Sequence, residues 1–184
     1  MKVLKSLSLM AFLMGCMTVA LFSCDDDQVI TPVTKESAIG DYLGNLIAND
    51  GDSEIVKVNV DKANIVIKDF PVDSIVKYIV PAEEFQEALE SVGEVDCNIK
   101  YEPETFSLNL FLHLDPTPLE FILTYGGSSK EVNVGLVSVN EDGVYNGTDR
   151  SLSFEIIANN VTVNGNTVSS FKSISYQFDS TSKE

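Results

Sequence analysis

Apolar and polar positions alternate with a period of two along most of the chain from Ile39 onward, which is the signature of strands with one buried face. The alternation predicts a first strand over 39–48, bent or weakened at Gly40 and Gly44. Asn49-Asp50-Gly51-Asp52 predicts a turn. Beyond it Val56, Val58 and Val60 share one face of a strand over 53–60, and Ala63, Ile65 and Ile67 share one face over 63–68. These two runs predict a hairpin.

The period then changes. Val72, Ile75, Val76 and Ile79 stand at i, i+3, i+4 and i+7, the spacing of one helix face. Pro71 precedes them, and Asp73 is the expected N-cap. After Pro81 the spacing repeats at Phe85, Ala88, Leu89 and Val92, with Glu83, Glu84, Glu87 and Glu90 turned to water. Gly93 is placed to supply the C′ residue. One short helix and a second of about three turns are expected here.

From Glu94 the period of two returns, predicting strands over 94–101, 105–114, 119–125, 131–140, 151–163 and 167–178. The run 105–114 alternates most cleanly, with Phe106, Leu108, Leu110, Leu112 and Leu114 on one side. Asn164-Gly165 predicts a type I′ hairpin turn. Strands joined in sequence by short turns form a meander, and a meander removes its exposed edges by closing. The expected fold is mostly β: an antiparallel meander of eight or nine strands closing as a barrel, with a short helical insert after the third strand. A two-sheet sandwich is the alternative. The domain is expected over 39–179, followed by a frayed tail over 180–184.

The start of the chain follows neither period. Lys2 and Lys5 precede a long apolar run, and no further charge occurs before Asp25. A basic start and a short apolar core make a secretion signal, and the run falls short of the roughly 20 apolar residues a spanning helix needs. It ends in Leu21-Phe22-Ser23-Cys24, which resembles the bacterial lipobox. That resemblance implies acylation of the Cys24 thiol and cleavage before it, chemistry that suits a thiolate nucleophile. Leu13-Met14-Gly15-Cys16 fits the same pattern, but cleavage there would leave an apolar stretch on the mature protein. Cys24 is therefore the expected lipidation site and 1–23 the signal peptide. Asp25, Asp26 and Asp27 follow at once. In enterobacteria such an acid resembles an inner-membrane retention tag; in Bacteroidetes it resembles a signal for the outer face of the outer membrane. Residues 24–38 read as a polar tether.

Charge narrows the partners. The chain carries −16 formally; removing residues 1–23, which hold Lys2 and Lys5 and no acid, takes it to −18. So acidic a surface repels phosphate backbones and anionic membranes. No nucleic-acid role is expected, and the membrane is expected to hold the protein only through lipid on Cys24. With Cys16 cleaved away and Cys24 acylated, Cys97 stands alone, so no internal disulfide forms. Its place beside Val95 and Ile99 in the alternation puts it on the apolar face.

Candidate chemistry is sparse. His113 is the only histidine, and alternation sets it on the opposite face from Cys97. No catalytic group, cofactor site or metal site is expected. Asn49-Asp50-Gly51-Asp52-Ser53-Glu54 gathers oxygen ligands of the kind calcium uses, yet the same residues are ordinary turn chemistry. Asp73-Ser74-Ile75 and Asp179-Ser180-Thr181 resemble sites of O-glycosylation in exported Bacteroidetes proteins.

The lipobox, acidic start, tether, hairpin, Asp69-Phe70-Pro71-Val72 lead into the helical insert and β-meander together resemble the small lipoproteins of Bacteroidetes, many with calycin- or lipocalin-like domains. The resemblance implies a lipid-anchored protein of the cell envelope, in the outer membrane and facing outward, and carries over no functional residue except Cys24. A non-catalytic binding role is the expected function, for a small apolar ligand in a pocket lined by residues such as Phe106, Leu110 and Phe121, or for a protein partner. The alternatives are a hydrolase on surface glycans or peptides and a structural or inhibitory module of a surface assembly.

Overall fold

The structure is a computed structural model and describes residues 32–139 and 142–183. The signal peptide, Cys24 and Asp25, Asp26 and Asp27 lie outside the described residues. Eleven strands among the described residues form one antiparallel sheet: β1 (Gly40–Ala48), β2 (Ser53–Val60), β3 (Asn64–Lys68), β4 (Cys97–Phe106), β5 (Asn109–Pro116), β6 (Leu119–Tyr125), β7 (Ser128–Ser138), β8 (Asp142–Asn146), β9 (Ser151–Val163), β10 (Asn166–Thr167) and β11 (Ile174–Lys183). Three short helices accompany them: α1 (Lys35–Ala38), α2 (Asp73–Ile79) and α3 (Phe85–Ser91). No helix among the described residues is long and apolar enough to cross a membrane.

Eight strands close the expected barrel in the order β11-β1-β2-β3-β4-β5-β8-β9, with β9 pairing back onto β11. The β6–β7 hairpin leaves this ring. It pairs through β7 with the second half of β9, which runs on past the barrel and also holds β10. Closure follows from the alternation: Val56, Val58 and Val60 on β2, Ile65 and Ile67 on β3, and Leu110 and Leu112 on β5 are all buried against one core. Each large apolar side chain taken fully from water contributes about 1.5–3 kcal/mol. Aromatic rings span the interior. Tyr42 and Tyr145, from strands that do not pair with each other, meet edge-on at 6.4 Å. Phe154 and Phe178, directly opposite across β9 and β11, stack at 5.0 Å.

The two ends differ. The chain joins the barrel at the end where β1 begins, and α1 lies there. Tyr42 donates from its hydroxyl to the Ala38 carbonyl at 2.6 Å, and Lys183 Nζ donates to the Ser37 carbonyl at 2.6 Å. Val33 is already buried, so ordered structure starts within the stretch expected to be tether. At the opposite end α2 and α3 pack through Ile75, Val76 and Ala88.

Several expectations need correction. The run 105–114 is not one strand: Ser107, at φ 58°, and Leu108 turn the chain so that Phe106 pairs with Asn109. The run 167–178 divides into β10 and β11, because the segment between them leaves the sheet to set Phe171 edge-on against Tyr78 of α2 at 5.4 Å. Residues 180–183, expected to fray, belong to β11, which pairs with β1 as far as Tyr42 opposite Lys183. Asp73 is the first residue of α2 rather than its cap, which is Val72. The second helix spans seven residues, and Val92 ends it in an extended conformation. The expected turn at Asn164-Gly165 does form, with φ 49° and 77°.

Candidate functional site

At the helical end of the barrel, the β1–β2 turn, the start of α2 and the start of β11 border a pocket of about 260 Å³. The turn is built locally: Ala48 N–H donates to the Asp52 carbonyl at 2.8 Å, Gly51 N–H donates to the Ala48 carbonyl at 3.0 Å, and Gly51 takes φ 98°. The strand register sets Tyr176 opposite Ala48. Pro71 fixes the approach to α2 and delivers Asp73 and Ser74 to the same opening. Residues far apart in sequence thus converge: Asp52 and Glu54 from one hairpin, Asp73 and Ser74 from the helix, Tyr176 from the last strand.

Three features mark this pocket. First, Tyr176 is 1% exposed, and among the described residues its hydroxyl has no hydrogen-bond partner. A buried hydroxyl left without a partner costs about 1–3 kcal/mol, so a group that pairs with it gains by doing so. Burial, then the carboxylates of Asp50, Asp73 and Asp52, push the phenol far above its ordinary value, so it stays a neutral donor and acceptor. Second, Ser74 is a buried polar side chain, 3% exposed, whose hydroxyl approaches Asp52 Oδ2 at 3.4 Å. Third, the pocket is acidic. Partial burial, then the neighbouring charges of Asp73 and Asp52, raise the Glu54 carboxyl above the usual range. For Asp50, burial acts upward, but the Ser74 hydroxyl, backbone N–H groups and the Lys77 charge outweigh it and hold the carboxyl below the usual range. Lys77, on α2, forms an ion pair with Asp52 at the rim. Both partners are about half exposed, so the pair adds at most about 1 kcal/mol.

A larger groove of about 730 Å³ runs between the flank of β5 and β7, bordered by Lys100, Glu102, His113, Asp115 and Ser138. It is an open sheet face. His113 Nε2 lies 3.1 Å from Glu104 Oε2, both side chains well exposed. Cys97 is on the other side of the sheet wall, fully buried, its thiol pushed up to about 12 by burial. The structure does not bring Cys97 and His113 together. Nor does it gather Phe106, Leu110 and Phe121. Phe106 is exposed at the β4–β5 turn against Phe111, Leu110 is in the barrel core, and Phe121 lies on β6 outside the ring.

The oxygen-rich loop over 49–54 serves as a turn, Asp50 Oδ1 accepting from Asp52 N–H at 3.3 Å. Among the described residues no group of three or more His, Cys, Asp and Glu side chains is arranged to hold a metal ion. Ser74 is too buried to accept a sugar in the folded chain. Ser180 Oγ accepts from Leu152 N–H at 2.7 Å.

The pocket was not legible as a site. Asp52 reads as turn chemistry, Asp73 as a helix start and Tyr176 as one more inward position in a strand. Only the barrel's closure brings them together.

A family model for a domain of unknown function, DUF4840, matches residues 37–163, more than half of the chain, and the chain belongs to that family. The match takes in β1 to β9 and stops short of β11, which carries Tyr176. No curated protein and no solved structure matches the chain.

Proposed function

We propose that this member of the DUF4840 family is a lipid-anchored, non-catalytic binding module of the bacterial cell envelope, with its ligand pocket at the helical end of the barrel. The observation that carries the binding role is the buried hydroxyl of Tyr176, unpartnered among the described residues, in a pocket lined also by Asp52, Glu54 and Asp73. A buried hydroxyl without a protein partner costs stability, and a ligand group that pairs with it recovers that cost. The polar lining favours a polar ligand over an apolar one. The barrel interior supports this choice, because Tyr42, Leu46, Ile65 and Phe178 fill it.

The anchor rests on Leu21-Phe22-Ser23-Cys24 and on the acidic residues that follow, Asp25, Asp26 and Asp27. Several acyl chains on one cysteine hold a protein stably where a single chain holds only marginally. The described chain enters the domain at the end closed by α1, and the pocket opens at the other end of the strands. Mass spectrometry of the N-terminal peptide from the native host tests the anchor. An acylated Cys24 is expected; a peptide retaining Met1 to Ser23 contradicts it. Protease shaving of intact cells tests the outward-facing location.

A further inference from the structure

We infer that the pocket at the helical end of the barrel recognises an organic cation, a primary ammonium or guanidinium group, and that Lys77 is a resident competitor for it. The inference rests on the proposal that this pocket is the ligand site.

The carboxylates of Asp52, Glu54 and Asp73 line the opening, and among the described residues the cation beside them is Lys77, outside the lining itself. Lys77 already shows that an ammonium is accepted at the rim, where it pairs with Asp52. Glu54 and Asp73 remain to face a second cation. Like charges held close repel one another, and an incoming cation relieves this. Among the described residues the Tyr176 hydroxyl is buried without a partner, and Tyr176 lines the same pocket, so a ligand N–H donor seated against it meets an acceptor.

An organic cation fits better than a bare metal ion for three reasons. No three carboxylates among the described residues converge on one point. The protonated phenol of Tyr176 is a poor ligand for a hard cation, which prefers anionic or carbonyl oxygen. The space of about 260 Å³ exceeds what an ion needs. It is near the lower end of small-molecule pockets, which suits an amine- or guanidinium-bearing side chain or a small polyamine.

The test uses the full chain in neutral detergent and agmatine, which carries both an amine and a guanidinium. Binding is measured by calorimetry, with the ring signal of Tyr176 followed by NMR and assigned from its loss in Tyr176→Phe. Agmatine is expected to bind and to shift that signal. Glu54→Gln, at an exposed position that leaves the core untouched, is expected to weaken binding about tenfold or more. Tyr176→Phe is expected to weaken it about three- to tenfold. Lys77→Met is expected to tighten it by up to about fivefold. Glu120→Gln, on the distant β6, is expected to change nothing. Equal weakening by Glu54→Gln and Glu120→Gln would reduce the binding to general surface acidity and overturn the inference. If agmatine fails to shift Tyr176 in wild type and in Lys77→Met while calcium chloride or glutarate does shift it, the cation inference falls and the pocket stands. If none of the three shifts it, both fall.

Discussion

The ring of Phe70 meets that of Tyr176 edge-on, with centroids 4.8 Å apart and planes inclined at 60°. This contact joins the loop that leaves β3 to the strand that floors the pocket. Phe70 is 3% exposed, and its N–H donates to the Val95 carbonyl at 2.7 Å. Asp69 before it takes φ 48°, which turns the ring inward. Tyr176, packed against this ring, also lines the acidic pocket. Phe70→Ala is expected to destabilise the fold by about 3–5 kcal/mol and Phe70→Leu by less, as read from urea denaturation midpoints. Equal stability in Phe70→Ala would show that the ring packs loosely.

The closing seam of the barrel gives a second prediction. Gly44 lies at a break in register between β1 and β11, and a Cβ there would lie 2.5 Å from the Asp179 carbonyl oxygen and 2.6 Å from the Phe178 ring. The carbonyl belongs to the backbone and cannot turn aside. Gly44→Ala is expected to cost about 1–3 kcal/mol and to speed hydrogen exchange in β11 before other strands. Uniform exchange across the sheet would mean that the seam does not open separately.

Cys97 tests whether the barrel wall is closed. Its thiol is fully buried and pushed up to about 12, so thiolate is scarce at neutral pH. In native protein the peptide containing Cys97 is expected to resist iodoacetamide and to react fully in urea, as read by mass spectrometry. Rapid labelling under native conditions would show an open path into the core.

Asp61 gives a pH-dependent prediction. Its carboxylate accepts from the Ala63 and Asn64 N–H groups, each at 2.7 Å, in the β2–β3 turn, and these bonds hold its pKa below the usual range. A depressed folded-state pKa adds stability above the unfolded value, lost as pH falls through the folded one. Asp61→Asn is therefore expected to be less stable than wild type at pH 7, by no more than about 0.5 kcal/mol because the exposed carboxylate is screened by solvent, with the gap closing below the usual carboxylate range. A gap that is constant with pH would locate the effect elsewhere.

How far the fold could be read from sequence depended on what each residue's neighbours were. The β2–β3 hairpin and the Asn164-Gly165 turn are local: alternation places the first, and the turn residues Asn164 and Gly165, both at positive φ, place the second. The turn at Ser107-Leu108 was hidden because a two-residue loop preserves parity, so Phe106 and Leu110 look like one face of a single strand. β8 was hidden because Glu141-Asp142-Gly143 reads as a turn. Gly143 instead marks close packing, as a Cβ there would lie 3.0 Å from Phe154 Cβ. The exit of the β6–β7 hairpin from the ring depends on the length of β9, which alternation shows, and on its second set of partners, which alternation does not. The pocket is the least local feature of all. Asp52, Asp73 and Tyr176 meet only through the pairing of β1 with β11 and the docking of α2, and a lack of partners at Tyr176 Oη has no sequence signal.

The most direct test of the pocket is the stability of Tyr176→Phe without ligand, measured by urea denaturation with the slope checked for constancy. If the hydroxyl is kept unpaired for a ligand, removing it relieves a buried polar group, and the variant is expected to be more stable than wild type by about 1 kcal/mol. A variant less stable by a similar amount would mean that the hydroxyl already has a partner within the protein, and would contradict the account.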